Sequence, residues 1–168
     1  EFEKNAITPT YQQEIALREA YEWWNNPSLL ISYLKGIAGT GKTSVVLKYF
    51  IETNKINLDN IILSAHEQSQ VDTLKKTLSD TTSAFVLADL LTKDVAFFDK
   101  TQLLVIDEIN ANSEQVMAQI LNKLTEINLT REENNKLKLM LLGDPTQLKA
   151  SNIPFINYFT NENNKYSV

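Results

Sequence analysis

Cysteine is absent, which excludes disulfides and any cysteine-ligated metal centre. Histidine occurs once, at His66, so no His/Cys set for zinc can be assembled. Arginine occurs twice, at Arg18 and Arg131, and glycine only four times in 168 residues. No apolar run approaches the roughly 18 residues that a membrane-spanning helix requires. No secretory pattern opens the chain. With the missing cysteines, this fits a cytoplasmic setting and no membrane partner. An excess of positive charge is missing too. At a net charge of −5, the chain does not grip nucleic acid by bulk electrostatics, so such a role needs a local basic track or a second domain.

What is present is ordinary for a soluble globular protein, with 43% hydrophobic and 22% charged residues. Internal repeats and low-complexity linkers are lacking, so residues 1–168 are expected to form a single domain. Residues 1–8 have few apolar anchors and read as a loose lead-in.

Three of the four glycines fall within one stretch, Gly36-Ile37-Ala38-Gly39-Thr40-Gly41-Lys42-Thr43. It fits G-x-x-x-x-G-K-[ST], the phosphate-binding loop of nucleotide triphosphatases. Leu29–Leu34 ahead of it has the length and character of a buried strand. Ser44–Ile51 behind it lacks a breaker and sets Val46, Leu47, Phe50 and Ile51 on one helical face. A loop between strand and helix turns its N–H groups toward phosphate oxygens, and Gly36, Gly39 and Gly41 permit the curl. Ala38 and Thr40 complete that cradle. Lys42 is expected to reach the β- and γ-phosphates of ATP, and Thr43 to offer its hydroxyl to Mg²⁺.

A second signal is Leu103-Leu104-Val105-Ile106-Asp107-Glu108, an apolar run ending in adjacent carboxylates. In a parallel sheet such a strand opens its C-terminal end onto the ligand crevice. Asp107 is expected to hold Mg²⁺ and Glu108 to polarise an attacking water. Another strand candidate, Leu137-Lys138-Leu139-Met140-Leu141-Leu142, ends in Gly143-Asp144-Pro145-Thr146-Gln147-Leu148. Gln147 is either a γ-phosphate contact or part of an ordinary Asp-Pro turn.

Several residues admit two readings. Thr10 and Gln13 form a capping box for a helix reaching Trp24, with Ile15, Leu17, Ala20, Tyr21 and Trp24 as its buried side. Gln13 is then a cap or an adenine contact. His66 follows the strand candidate Ile61–Ser64 and opens the helix expected over Glu67–Ser79. It makes a turn hydrogen bond or touches nucleic acid. Ser83 is placed to cap a short helix over Ala84–Leu91. Residues 92–101 read as a loop with Phe97 and Phe98 tucked in, and Ser113–Leu129 as a helix capped by Asn112 or Ser113. In the tail, the aromatics Phe155, Tyr158 and Phe159, with Ile156 among them, are expected to pack on the body or to await a partner.

Together these segments resemble the first RecA-like domain of superfamily 1 DNA helicases, on their RecD-like branch. The likeness covers residues 8–150. Gly36–Thr43 looks like helicase motif I, Val105–Glu108 like motif II, and Gly143–Leu148 like motif III. Thr10–Gln13 is similar to the glutamine motif, which favours the adenine role for Gln13. Leu63–His66 looks like motif Ia and Thr82–Leu91 like motif Ib, so His66, Thr82 and Ser83 are implied contacts to single-stranded DNA. The resemblance implies an α/β, RecA-like P-loop fold with a mainly parallel sheet. Its strands lie near 30–34, 60–64, 103–106 and 137–142, the last of them between the first and third. It also implies ATP-driven movement on single-stranded nucleic acid. The chain ends soon after motif III, so a second RecA-like domain with the arginine fingers is expected in cis or in trans. Two other readings share these motifs: a stand-alone PhoH-like ATPase, and a nucleotide-switched protein-interaction module.

Overall fold

The computed structural model describes residues 9–36, 41–144 and 165–167, with the backbone alone for 42–44, 110 and 165–167. Six parallel strands form one sheet in the order β3-β2-β4-β5-β1-β6. They are β1 (Ile31–Lys35), β2 (Ile61–Ala65), β3 (Ser83–Val86), β4 (Leu103–Ile106), β5 (Lys138–Gly143) and β6 (Lys165–Ser167). The expected placing of the 137–142 strand is borne out, since β5 pairs with β4 on one side and β1 on the other.

Strands buried on both faces need apolar side chains at consecutive positions, which explains the uninterrupted aliphatic runs. The runs sort by alternation. Leu34, Ile61, Leu63, Leu103, Val105, Met140 and Leu142 join one core, packed with α1 (Tyr11–Trp24), α2 (Lys48–Thr53) and α3 (Gln68–Leu78). Tyr33, Ile62, Leu104, Ile106, Leu139 and Leu141 join the other, beneath α4 (Leu87–Leu90) and α5 (Glu114–Asn128). The result is a three-layer α/β/α domain.

The helix starts follow side-chain chemistry. Thr10 Oγ1 accepts from the Gln13 N–H at 3.3 Å and Gln13 Oε1 accepts from the Thr10 N–H at 2.9 Å, which closes the capping box of α1. Ser113, not Asn112, caps α5. On α1 the buried positions are Gln13, Ala16, Ala20 and Trp23, so the phase differs from expectation and Tyr21 is half exposed. Trp23 and Trp24 both reach Phe50, at ring separations of 6.1 and 5.8 Å, and this pins α1 to α2.

Other differences from expectation concern pairing. Ser83 opens an edge strand rather than capping a helix, because Ser83–Val86 pairs with Ile62–Ala65; only Leu87–Leu90 is helical. Lys165–Ser167 forms a strand against β1, where a polar tail was expected. Phe98 is buried while Phe97 remains 39% exposed on a 3₁₀ turn. The lead-in at 1–8 and the aromatics at 155–159 lie outside the described residues.

Lys138, at the start of β5, is only 7% exposed. Its Nζ donates to the carbonyls of Trp23, Asn26 and Leu29 and lies 4.9 Å from the Trp23 ring centroid. Burial pushes its pKa down to about 8. All three ammonium protons are used to fasten the α1–β1 connection to the central sheet.

Candidate nucleotide-binding edge

The strand ends that carry the three strongest sequence signals lie side by side. Lys35 is level with Gly143, and the Gly36 N–H donates to the Gly143 carbonyl at 3.0 Å. Ile106, just before the carboxylates, is level with Leu141. Gly36 at the start of the phosphate-loop motif, the Asp107-Glu108 pair and Asp144 after β5 therefore share the C-terminal edge of three adjacent strands, where open α/β sheets bind ligands.

The loop returns to the body at Gly41, whose φ of +84° is left-handed and favours glycine. A π-helical turn, Lys42–Leu47, follows and runs into α2. It is anchored by the Gly41 carbonyl, which accepts from the N–H groups of Val45 and Val46 at 3.1 and 3.0 Å. A Cβ at Gly41 would stand 2.7 Å from Gln13 Nε2 and 3.3 Å from Val45 Cγ2. Gln13 is therefore both the helix cap and a lining of the loop. Its Oε1 serves the cap and its Nε2 faces the glycine. Ala38, Gly39, Thr40 and Gln147, and the side chains of Lys42 and Thr43, lie outside the described residues.

At β4 the Asp107 N–H donates to the Ser64 carbonyl at 2.9 Å, and Asp107 Oδ1 accepts from the Glu108 N–H at 2.9 Å. Glu108 itself is left-handed, with φ 51° and ψ 46°. For a residue with a side chain this costs about 1–2 kcal/mol. The turn is held by the Ala111 N–H on the Glu108 carbonyl, at 2.8 Å. Both carboxylates are half-buried. Among the described residues no cluster of three or more His, Cys, Asp or Glu could hold a metal. The Asp107 carboxylate fits Mg²⁺, a cation that keeps waters and phosphate oxygens as its other ligands.

The three residues implied as DNA contacts are not brought together. His66 is exposed just beyond β2, with Nδ1 3.3 Å from Asn112 Oδ1, so the turn contact is present on the carboxylate edge. Ser83 is level with Ile62, near the start of β2, which places Thr82 and Ser83 at the opposite, N-terminal edge. Thr82 is also buried, and its hydroxyl finds no partner among the described residues. Strand direction is the reason: β3 runs parallel to β2, so its first residues cannot reach the edge where β2 ends. Arg131 is committed elsewhere, donating to the carbonyls of Thr101 and Phe98 at 2.7 and 2.6 Å. Arg18 is exposed on α1.

Strand patterning gave no signal for Tyr33. It is 2% exposed, its hydroxyl has no partner among the described residues, and burial, with the nearby Asp144 charge, pushes its pKa up to about 12. Asp144 is itself buried.

The parallel sheet between its two helical layers, with the Gly36–Thr43 sequence motif following β1, is a RecA-like P-loop fold. The AAA domain family model matches residues 12–152, and the chain belongs to that family. Among solved structures it resembles Pif1 from Bacteroides sp. in complex with ADP-AlF4, at TM-score 0.62 and 19% identity over 96% of this chain and 42% of that one. Pif1 helicase from Candida albicans gives TM-score 0.56 and 16% identity over 82% and 33%. The UvsW helicase from bacteriophage T4 gives 0.65 and 12% over 98% and 62%. The chain thus spans less than half the length of those Pif1 helicases. At these identities the likeness is one of fold. Another Bacteroides Pif1 structure holds ADP-AlF3 and ssDNA. No curated protein sequence matches the chain. No helix among the described residues is long and apolar enough to cross a membrane.

Proposed function

We propose that this chain is the ATP-binding half of a helicase or translocase that moves on single-stranded nucleic acid. The observation that carries this reading is the adjacency of β4, β5 and β1, which puts Gly36, the paired carboxylates and Asp144 along one sheet edge. Helicases of the same fold, two of them with ADP-metallofluoride complexes, support it.

The roles follow from chemistry. Gly36–Thr43 cradles the phosphates, Lys42 neutralises β/γ charge, and Gln13 meets the adenine from its place beside Gly41. Thr43 and Asp107 hold Mg²⁺, which screens the phosphate charge when bound. Glu108 orients the attacking water, and Gln147 responds to the γ-phosphate. On the nucleic-acid side, only His66 lies on the edge that carries these groups; Thr82 and Ser83 do not.

The electropositive groups that complete such sites come from outside this chain. Arg131 is bound to carbonyls and Arg18 sits on the exposed side of α1. An arginine finger contributes about 10³–10⁵ in turnover, so a second RecA-like domain, in cis or in trans, is required for speed. Titration with Mg-ATP tests the site directly. The wild type is expected to bind and Lys42→Ala to lose binding, with turnover slow in both, with or without single-stranded DNA. Equal affinity in the two proteins would reject the site assignment. Brisk DNA-stimulated turnover by the chain alone would reject the half-site.

A further inference from the structure

The hydroxyl of Tyr33 is out of place in its surroundings. The ring belongs to an otherwise aliphatic, Met and Phe core, yet its Oη is buried with no hydrogen-bond partner among the described residues. Buried phenols ordinarily find a partner, and a missing one calls for an explanation. Phenylalanine would fill the same space without that cost.

The position of the hydroxyl is specific. Tyr33 lies three residues before Gly36 on the strand that feeds the phosphate loop. A Cβ on Gly143 would stand 3.0 Å from Tyr33 Oη, 3.1 Å from its Cε2 and 2.8 Å from Ile109 Cγ2. The missing side chain at the end of β5 is therefore what admits the phenol. Ile109 directly follows Glu108, and Asp144 directly follows Gly143. One side chain from β1 thus reaches the place where the turn after β4 meets the end of β5. Burial is the larger cause of the phenol's raised pKa and the nearby Asp144 charge the smaller, so the carboxylate lies within electrostatic reach of the hydroxyl. A carboxylate has acceptor sites enough to take a further donor beside any it already has.

We propose that Tyr33 is a positioning residue whose hydroxyl donates to the Asp144 carboxylate when a nucleoside triphosphate is bound, linking nucleotide state to the end of β5. The inference rests on the nucleotide site proposed above. The hydrogen bond is absent in the present conformation and forms in the triphosphate state, so it favours that state over the diphosphate state. A ligand shifts a conformational equilibrium only by its difference in affinity for the two states, and this bond supplies such a difference.

The test is calorimetric titration of the full chain and of Tyr33→Phe with Mg-ADP and with a magnesium complex of a non-hydrolysable ATP analogue. The expected result is that the wild type prefers the triphosphate. Tyr33→Phe should lower that preference roughly tenfold, the worth of a hydrogen bond to a charged group, with Mg-ADP affinity within about twofold. Its melting temperature should be no lower. Amide exchange at 143–144 should slow on analogue binding in the wild type and not in the variant. An unchanged preference, or an equal loss of both nucleotides, overturns the proposal and leaves only packing. A wild type that binds both nucleotides equally well overturns it too while leaving the nucleotide site intact. A wild type that binds neither overturns the site itself, and this inference with it.

Discussion

Gly41→Ala is the most informative single change, because the structure separates its cost into two parts. The first is conformational. At φ +84° an alanine is held in the left-handed region, which costs about 1–2 kcal/mol. The second is a collision. The new Cβ would lie 2.7 Å from Gln13 Nε2, the far end of a flexible side chain, so the amide swings away rather than the backbone moving. That displacement breaks the 2.9 Å bond from the Thr10 N–H to Gln13 Oε1 and opens the capping box, worth about 1 kcal/mol. The total is about 2–3 kcal/mol, or roughly 4–12 °C in melting temperature for a chain of this size. Urea denaturation of four proteins separates the parts: wild type, Gly41→Ala, Gln13→Ala and the double variant. In the Gln13→Ala background the collision is gone, and Gly41→Ala should cost only its conformational share. A coupling of about 1 kcal/mol is expected, above the few tenths that independent sites show. If Gly41→Ala costs the same in both backgrounds, Gln13 does not line the loop as described, and its proposed adenine role loses its geometric basis.

Three further outcomes are expected. Tyr33 has a folded pKa of about 12 against 10 for a free phenol, so the folded state holds its proton longer. Its contribution is complete below pH 10 and is lost as pH rises through 12, by about 2 kcal/mol. Urea melts at pH 9 and pH 11.5 should therefore show the wild type falling more than Tyr33→Phe, and equal falls would contradict the burial of the phenol. Lys138→Met should destabilise by about 2–4 kcal/mol, because three carbonyls lose an ammonium donor; a denaturant midpoint close to wild type would refute the anchoring role. Lys55 occupies a left-handed position, φ 53°, just after α2, where its N–H donates to the Glu52 carbonyl and the Ile56 N–H to that of Ile51. Lys55→Gly should raise stability by up to about 1 kcal/mol, read as a higher midpoint with an unchanged slope.

The Lys138 case also shows where reading the chain alone falls short. A lysine beside an apolar run reads as solvent-exposed, and only the carbonyls at the end of α1 and in the connection that follows it reveal why this one is buried. Tyr33 is similar, since nothing in Ile31–Lys35 distinguishes a phenol aimed at a strand junction from one packed as a plain aromatic.

The amino-acid sequence by itself determined whatever depends on neighbours along the chain. Aliphatic runs placed β1, β2, β4 and β5 to within about a residue, since strands buried on both faces require them. Thr10 and Gln13 placed the start of α1 through a local cap, and the Asn112-Ser113 pair placed that of α5 to within a residue. The glycine-rich motif and the Asp107-Glu108 pair marked the strand ends where the nucleotide site is proposed. Tertiary structure decided whatever depends on partners distant in the chain. Ser83–Val86 is a strand only because β2 offers a free edge, and Lys165–Ser167 only because β1 does. The same parallel pairing carries Thr82 and Ser83 to the edge opposite His66, although all three resemble motifs that share a task. Backbone pairing joins residues far apart in the chain and sets strand direction, and with it the edge each residue faces. Local composition carries no record of that choice.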